Sequence, residues 1–411
     1  MFQPLKFLNS LLSVALQSAQ PAACLPPHLP KKPKGRTVVI GAGKASAAMA
    51  AVVEGNLHWP LEGLVITRYG FGYPCQEIEV VEASHPIPDE ASIKATERTI
   101  KLLKGLTKDD LVLCLISGGA SSLMALPAGN ITLEEKQMLT QQLLICGAPI
   151  SKINTVRSHL SSVKGGGLAR ICGPAEICTL IISDVPRDIP CLVGSGPTLP
   201  GNTKPIDALK VLREYNLDIP SSVLSYLASD KASLTLTLPN SKSHHVIVAS
   251  CGSAIEAAAA HARDHGFRTT VLGYDIEGDS KELGKKVADK LLMKGDRPHV
   301  YLSGGETTVT VRGGGKGGPN TEFLLSLAME LDERKDVFAI ACDTDGIDGS
   351  EDNAGAFITP YTLSRARKLG LVPEDYLKRN DTYTFFDAIG DLVVTGPTYT
   401  NVNDFRAILV P

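Results

Sequence analysis

Over residues 37–182, short continuous apolar runs alternate with longer stretches in which apolar residues recur every three to four positions. The runs at 37–40, 63–67, 110–116 and 177–182 are nearly continuous rather than alternating, as expected of strands buried on both faces, and 78–83 is strand-like. Between them, 44–53, 89–103, 133–146 and 153–162 read as helices. That order implies a mostly parallel sheet covered by helices on both sides. The segment 200–239 is helical and then polar, and a second α/β series follows. Its strands are expected at 245–249, 269–272, 299–302, 308–311, 337–341 and 392–395. The runs starting at 299 and 308 are too close for a crossover helix, so that pair should be antiparallel and the second sheet mixed. The fold class is α/β with two α/β domains, 1–238 and 239–411, divided at the polar stretch LTLTLPNSKSHH.

Ahead of the first strand, Leu8, Leu11, Leu12 and Ala15 repeat at helical spacing. Asn9, Ser10, Ser13, Gln17 and Ser18 interrupt what would otherwise resemble a secretory apolar core. A surface helix docked on the protein explains the pattern better. PPHLPKKPKG then separates it from the main fold.

Composition narrows the function. The chain has 411 residues, a net charge of -3, 5% aromatic residues and one Trp. Single-strand binding needs basic grooves with stacking aromatics, so nucleic acid is not an expected partner. No apolar run approaches the ~20 residues of a membrane span, so no membrane is expected. The nine Cys contain no C-x-x-C. Cys114, Cys178, Cys251 and Cys342 lie in or beside apolar runs, which suits buried thiols in a reducing compartment. The expected location is cytoplasmic. An anionic small substrate would need local positive charge inside a cleft.

Five glycine-containing turns follow strands, where open α/β sheets bind ligands. In VVIGAGKAS, a strand runs through Gly41 and Gly43 to Lys44 and a helix. Backbone N–H groups there could receive an anion beside the Lys44 charge. It is not a Walker A loop, and Ser46 stands where a dinucleotide fingerprint has its third Gly. A tight turn with a solvated lysine is the plainer alternative. Ser117-Gly118-Gly119-Ala120-Ser121-Ser122 offers small residues and hydroxyls, or is simply a strand-to-helix turn. Arg157 and Lys164 are seven apart and share a helix face. They suit a carboxylate or phosphate, unless the face is only solvated. Asp184 closes an apolar strand, a usual place for a base or an Mg²⁺ ligand, or for a turn cap. Last come Gly304-Gly305-Glu306, the loop Gly313 to Asn320, which includes Gly315, Lys316, Gly317 and Gly318, and the acids Asp343 and Asp345. This set suits Mg²⁺–nucleotide binding, with the loop's backbone donors around phosphates, if it is not a pair of surface loops.

Taken together, VVIGAGKAS, EASHPIPDE, LISGGASSL, NTVRSHLSSVKGG, LIISDVP, GSGPT, LSGGETTVTVRG, DTDGIDGSEDNAGA and TGPTYTNVNDFRA resemble the MOFRL-type glycerate kinases. The resemblance runs from Lys34 to Leu409. It implies a Rossmann-like N-terminal domain, a C-terminal MOFRL domain and an active site in the cleft. It also implies ATP-dependent phosphorylation of D-glycerate to 2-phosphoglycerate with Mg²⁺, and it matches the family's catalytic lysine to Lys44. For that reaction the motifs suggest catalysis for Lys44 and Asp184, and substrate binding for Ser117, Gly118, Gly119, Ser121, Arg157 and Lys164. Gly304, Gly305, Glu306, Gly315, Lys316, Gly317, Gly318 and Asn320 would bind nucleotide, and Asp343 and Asp345 metal. The partner is a small molecule, glycerate or a related hydroxy acid; self-association as a homodimer stays open. The family reads Gly-Gly-Arg-Asn after its glycine loop where this chain has Pro319, and often carries Lys where it has Ser158. A hydroxypyruvate reductase or a non-catalytic sugar-acid sensor are the alternatives.

Overall fold

The computed structural model describes residues 2–233, 242–292, 298–331 and 336–411. The chain forms two compact units: Cys24–Val248, and Met1–Ala23 together with Ala249–Pro411. The expected division at 238/239 lies outside the described residues. The first helix, expected in the N-terminal domain, groups with the C-terminal unit.

The unit Cys24–Val248 holds a six-stranded sheet. Its strands are β1 (Thr37–Ala42), β2 (Glu62–Arg68), β3 (Ile78–Ala83), β4 (Leu111–Ile116), β5 (Glu176–Ile182) and β6 (Ser243–Ala249), in the order β3-β2-β1-β4-β5-β6. β1 to β5 are mutually parallel. Every residue of β1 and β4 is buried, which accounts for their unbroken apolar sequence. β6 was expected to open the second sheet; it instead forms the edge of this one beside β5. The order reverses between β1 and β4, which opens a crevice at the C-terminal strand ends. Ala42 pairs with Ile116 and Ile116 with Ile181, so the turns after β1, β4 and β5 start at one level. Beyond the sheet, the helices Leu133–Ile145, Ile150–His159 and Pro205–Glu214 share a separate apolar cluster that includes Leu139, Leu143, Val156, Leu160 and Leu212.

The second unit holds β7 (Arg268–Gly273), β8 (Gly278–Asp279), β9 (His299–Gly305), β10 (Thr307–Thr308), β11 (Phe338–Asp343), β12 (Gly355–Ile358), β13 (Leu392–Val393) and β14 (Asp404–Val410). Its main sheet runs β13-β12-β11-β14-β9-β7 and is mixed, as expected. The source of the mixing differs from the expectation. β10 pairs in parallel with β8, whereas β9 runs antiparallel to β14 and parallel to β7. The sequence reading omitted β12 and β14, although β14 is central and buried throughout. Helix Pro4–Ser18 buries Phe7, Leu8, Leu11, Leu12 and Ala15 and packs on helix Cys251–Asp264 and β14 of this unit.

Cys114, Cys178, Cys251 and Cys342 are buried. Among the described residues, no helix is long and apolar enough to cross a membrane.

Candidate functional site

The C-terminal ends of β1, β4 and β5 assemble most of the chemistry in the first unit. Gly43 has φ +135°, and a Cβ there would collide with Ser117; only glycine lets the β1 and β4 turns come this close. The turn's N–H groups are used inside the fold. Gly43 N–H donates to Ile66 O (3.0 Å), Lys44 N–H to Gly118 O (2.8 Å) and Ala45 N–H to Ser117 Oγ (3.0 Å). Ser46, fully buried, donates its hydroxyl to Gly43 O (2.8 Å) and Ile66 O (2.9 Å). The expected backbone anion cradle is therefore already filled by protein acceptors. What the turn presents is the half-buried side chain of Lys44. The space over Gly119 is bounded by Lys44 and His85, whose ring carbon Cδ2 would lie 3.0 Å from a Cβ at Gly119. His85, just beyond β3, was not among the expected site residues. Its signal was positional, two residues past a parallel strand and inside EASHPIPDE.

The hydroxyls expected to touch substrate are also engaged. Ser117 is fully buried under Ala45. Ser121 Oγ meets Ser195 Oγ (2.9 Å) and accepts from Lys164 Nζ (2.7 Å), which also donates to Ser121 O. Ser183, at the end of β5, is buried with no hydrogen-bond partner for its Oγ, and the half-buried Asp184 follows it. Nearby Arg187, Asp188 and Ser195 all adopt positive φ, strain of a kind that collects at functional sites.

Lys164 is 1% exposed and Lys136, on helix Leu133–Ile145, 6%. Burial, then the neighbouring Arg157, pushes the Lys136 amine down to about 7. Burial, then Lys136 and Arg157, holds Lys164 well below the usual lysine range. Lys164 also lines a cavity of about 290 Å³ with Asn154, Ser158, His159, Ser195 and Thr203. Burial lowers the His159 pKa; its Nε2 lies 3.0 Å from Thr203 Oγ1, so it serves as a polar wall.

In the second unit, the glycine loop is held by residues 379–382. Gly315 N–H donates to Arg379 O (3.0 Å), Lys316 N–H to Asp381 Oδ1 (3.1 Å), and Arg312 and Gly313 N–H to Asn380 Oδ1 (2.7 and 3.0 Å). A Cβ at Gly315 or Gly317 would strike Asp381 or Thr382. Close backbone packing thus explains these glycines without a phosphate. Gly304 and Gly305 are likewise buried at the end of β9, packed on Cys251 and Ile276, while Glu306 is exposed. Lys316 pairs with Glu351 at 3.1 Å and is 60% exposed.

Pro319 begins helix Pro319–Glu330, a position proline favours. Asp348 caps that helix: its Oδ1 accepts from Asn320 N–H (2.9 Å) and its Oδ2 from Thr321 N–H (2.9 Å) and Thr321 Oγ1 (2.9 Å). Asn320 is fully buried, and its amide donates to Asp348 and Asp404, so it braces the helix start from inside. Asp404 in turn meets the buried Arg406, which lies over the Phe323 ring.

Asp343 Oδ1 accepts from Asp345 N–H (2.9 Å), and Asp345 Oδ1 from Ile347 N–H (2.8 Å). Among the described residues, no three His, Cys, Asp or Glu side chains gather to hold a metal. Magnesium commonly takes only one or two carboxylates, the rest being water and phosphate. Asp343, half-buried at the end of β11, fits that demand better than Asp345, which is 1% exposed. A cavity of about 420 Å³ in this unit is lined by the acids Asp279, Glu282, Glu322, Glu330 and Glu374 and the bases Lys281, Lys285, Arg312 and Lys378.

Residues 7–228 match the family described as "Domain of unknown function (DUF4147)", and residues 299–404 the MOFRL family. A protein of Agrobacterium vitis provisionally named a hydroxypyruvate reductase is 49% identical over 98% of this chain and 94% of its own. The D-glycerate 2-kinase of Thermotoga maritima is 36% identical over 97% and 96%. The crystal structure of a glycerate kinase from Thermotoga maritima superposes with a TM-score of 0.88 at 35% identity, covering 99% of each chain.

Proposed function

Because the chain belongs to the MOFRL family that includes the glycerate kinases, we propose that it phosphorylates D-glycerate from ATP, giving 2-phosphoglycerate. The observation that carries this reading over the reductase is the turn after β1. A dinucleotide site offers free N–H groups to a pyrophosphate. Here those of Lys44 and Ala45 are given to Gly118 and Ser117, and the charge on offer is the Lys44 amine.

Phosphoryl transfer depends on placement and charge stabilisation more than on covalent chemistry. Lys44 would neutralise charge on the transferring oxygens. Gly118 and Gly119 would give close approach to the substrate, with Ser117 and Ser121 fixing the turn and Lys164 beneath it. Arg157 and Lys164 would attract the carboxylate. Asp184 would orient the attacking hydroxyl. The Gly304–Glu306 turn and the exposed parts of the glycine loop, including Lys316, would border the nucleotide. Bound Mg²⁺ would neutralise phosphate charge, with Asp343 as its protein ligand and Asp345 bracing the turn.

Purified protein with ATP, Mg²⁺ and D-glycerate should yield 2-phosphoglycerate, and hydroxypyruvate should cause no NADH or NADPH oxidation. Sustained NADPH turnover without phosphorylation would establish the reductase instead.

Pro319→Arg tests the departure from the family's glycine loop. The Asp348 cap does not depend on the proline ring, so stability should change by less than about 1 kcal/mol. The new guanidinium should leave kcat equal or raise it. A loss of about tenfold or more would show that an arginine at this position is harmful in this chain.

A further inference from the structure

Helix Leu133–Ile145 packs on helix Ile150–His159 through Leu139, Leu143, Ile153 and Val156. Lys136 precedes Leu139 and Leu143 at helical spacing, so it lies on the face that packs. Its Nζ is buried and has no hydrogen-bond partner. A lysine in that state is expensive unless something neutralises it. Arg157 and Lys164 are the charged groups that act on it or feel it, and both are cations. No carboxylate lies against any of the three among the described residues. Glu135, the adjacent acid, is committed to the Thr132 N–H and to Ser222. Asp207 acts on His159, and Glu214 is paired with Lys152. Among the described residues, Lys164 finds protein acceptors in the oxygens of Ser121, and Lys136 and Arg157 find none. Three basic groups gathered without a counter-charge form a site that an anion from outside the chain would complete.

We propose that Lys136 joins Arg157 and Lys164 in one buried anion site, which takes the carboxylate of a small α-hydroxy acid. The identity of that acid as glycerate rests on the kinase reading; the site itself does not. Lys136 and Lys164 are both held low by burial, so both can gain charge when the ligand arrives. Near pH 8 Lys136 is mostly neutral when the site is empty, and an arriving carboxylate draws a proton onto it. Without ligand, the folded state disfavours the protonated amine relative to the unfolded chain, so Lys136 costs more stability as pH falls towards 7.

Titration calorimetry of the full chain with D-glycerate near pH 8, in two buffers of different ionisation enthalpy, reads this directly. The wild type should take up a fraction of a proton per glycerate bound. Lys136→Met should take up fewer protons, only the share left to Lys164, and bind about tenfold or more weakly, yet unfold at a higher temperature without ligand. Lys136→Arg should restore affinity without restoring the lost share of the uptake. A purely structural lysine would instead show a lower melting temperature in Lys136→Met and unchanged affinity, which overturns the site. Turnover separates the two readings. Wild type that phosphorylates glycerate, with an unchanged KM in Lys136→Met, keeps the kinase and rejects the site. Wild type that does not phosphorylate glycerate, but binds glycerate, lactate or tartrate in a Lys136-dependent way, rejects the kinase and keeps the site. Binding of none of these acids by wild type rejects the site.

Discussion

Lys44→Ala should reduce kcat for glycerate phosphorylation by roughly 10² or more while leaving the fold intact. The separation of the two effects follows from where the residue's bonds lie. Its backbone N–H is donated to Gly118 O at 2.8 Å and its carbonyl accepts from Thr67 Oγ1 at 3.5 Å, and alanine keeps both. Gly43 and Ser46 continue to define the turn, and Ser117 Oγ still receives the Ala45 N–H. The half-buried side chain and its charge are lost. A preorganised charge at a transferring phosphoryl group acts where water is scarce, so its removal falls on the chemical step. Steady-state kinetics with a melting curve for each protein will test this. A variant with near-normal kcat would reduce Lys44 to a turn residue, whatever its effect on KM.

Asp348→Ala should produce the largest loss of stability, about 3 kcal/mol or more, because it strips buried donors of their acceptor. The carboxylate accepts from the N–H groups of Asn320 and Thr321, from the Asn320 amide and from the Thr321 hydroxyl. Alanine leaves the start of helix Pro319–Glu330 buried without that cap. The same carboxyl has a pH signature. Burial raises its pKa to about 6 against the lowering effect of its hydrogen bonds. The folded state therefore keeps a proton that the unfolded chain releases near pH 4. This contribution to stability is complete below the unfolded pKa and is lost as pH rises through about 6, by up to about 3 kcal/mol. Asp348→Asn cannot titrate, so its stability should gain on the wild type between pH 5 and pH 7.5. Hydrogen exchange of the helix Pro319–Glu330 amides reads this locally. A difference that stays flat with pH would mean that Asp348 is already ionised near pH 4.

The legible parts of the molecule were those written locally. β1, the Gly43 turn and Lys44 occupy adjacent positions, and the unbroken apolar run marks a strand buried on both faces. β14 escaped notice because Arg406 interrupts its apolar run; the structure buries that arginine against Asp404 and Thr307. Those partners are unreadable from the local pattern. The glycine loop gave the right impression of close approach, but its neighbour is the backbone of 379–382. Asn320 looked like a ligand residue because its amide partners, Asp348 and Asp404, are 28 and 84 positions away. Lys136 carries no local sign of burial. Its burial depends on packing against Ile150–His159, which one helix's periodicity cannot reveal.

The membership of helix Pro4–Ser18 in the C-terminal unit also sets a timetable. During synthesis it leaves the ribosome well ahead of β14, against which it packs. At about 5–20 residues per second, roughly 20–80 s separate the two. The intervening Cys24–Val248 unit can complete its own sheet in that time. Meanwhile Phe7, Leu8, Leu11 and Leu12 have no native surface to cover them. The nascent chain carries this sticky tether throughout, a natural handle for chaperones and a hazard when many copies are translated together. Slow elongation, rather than weak native packing, is then the condition under which this protein should aggregate.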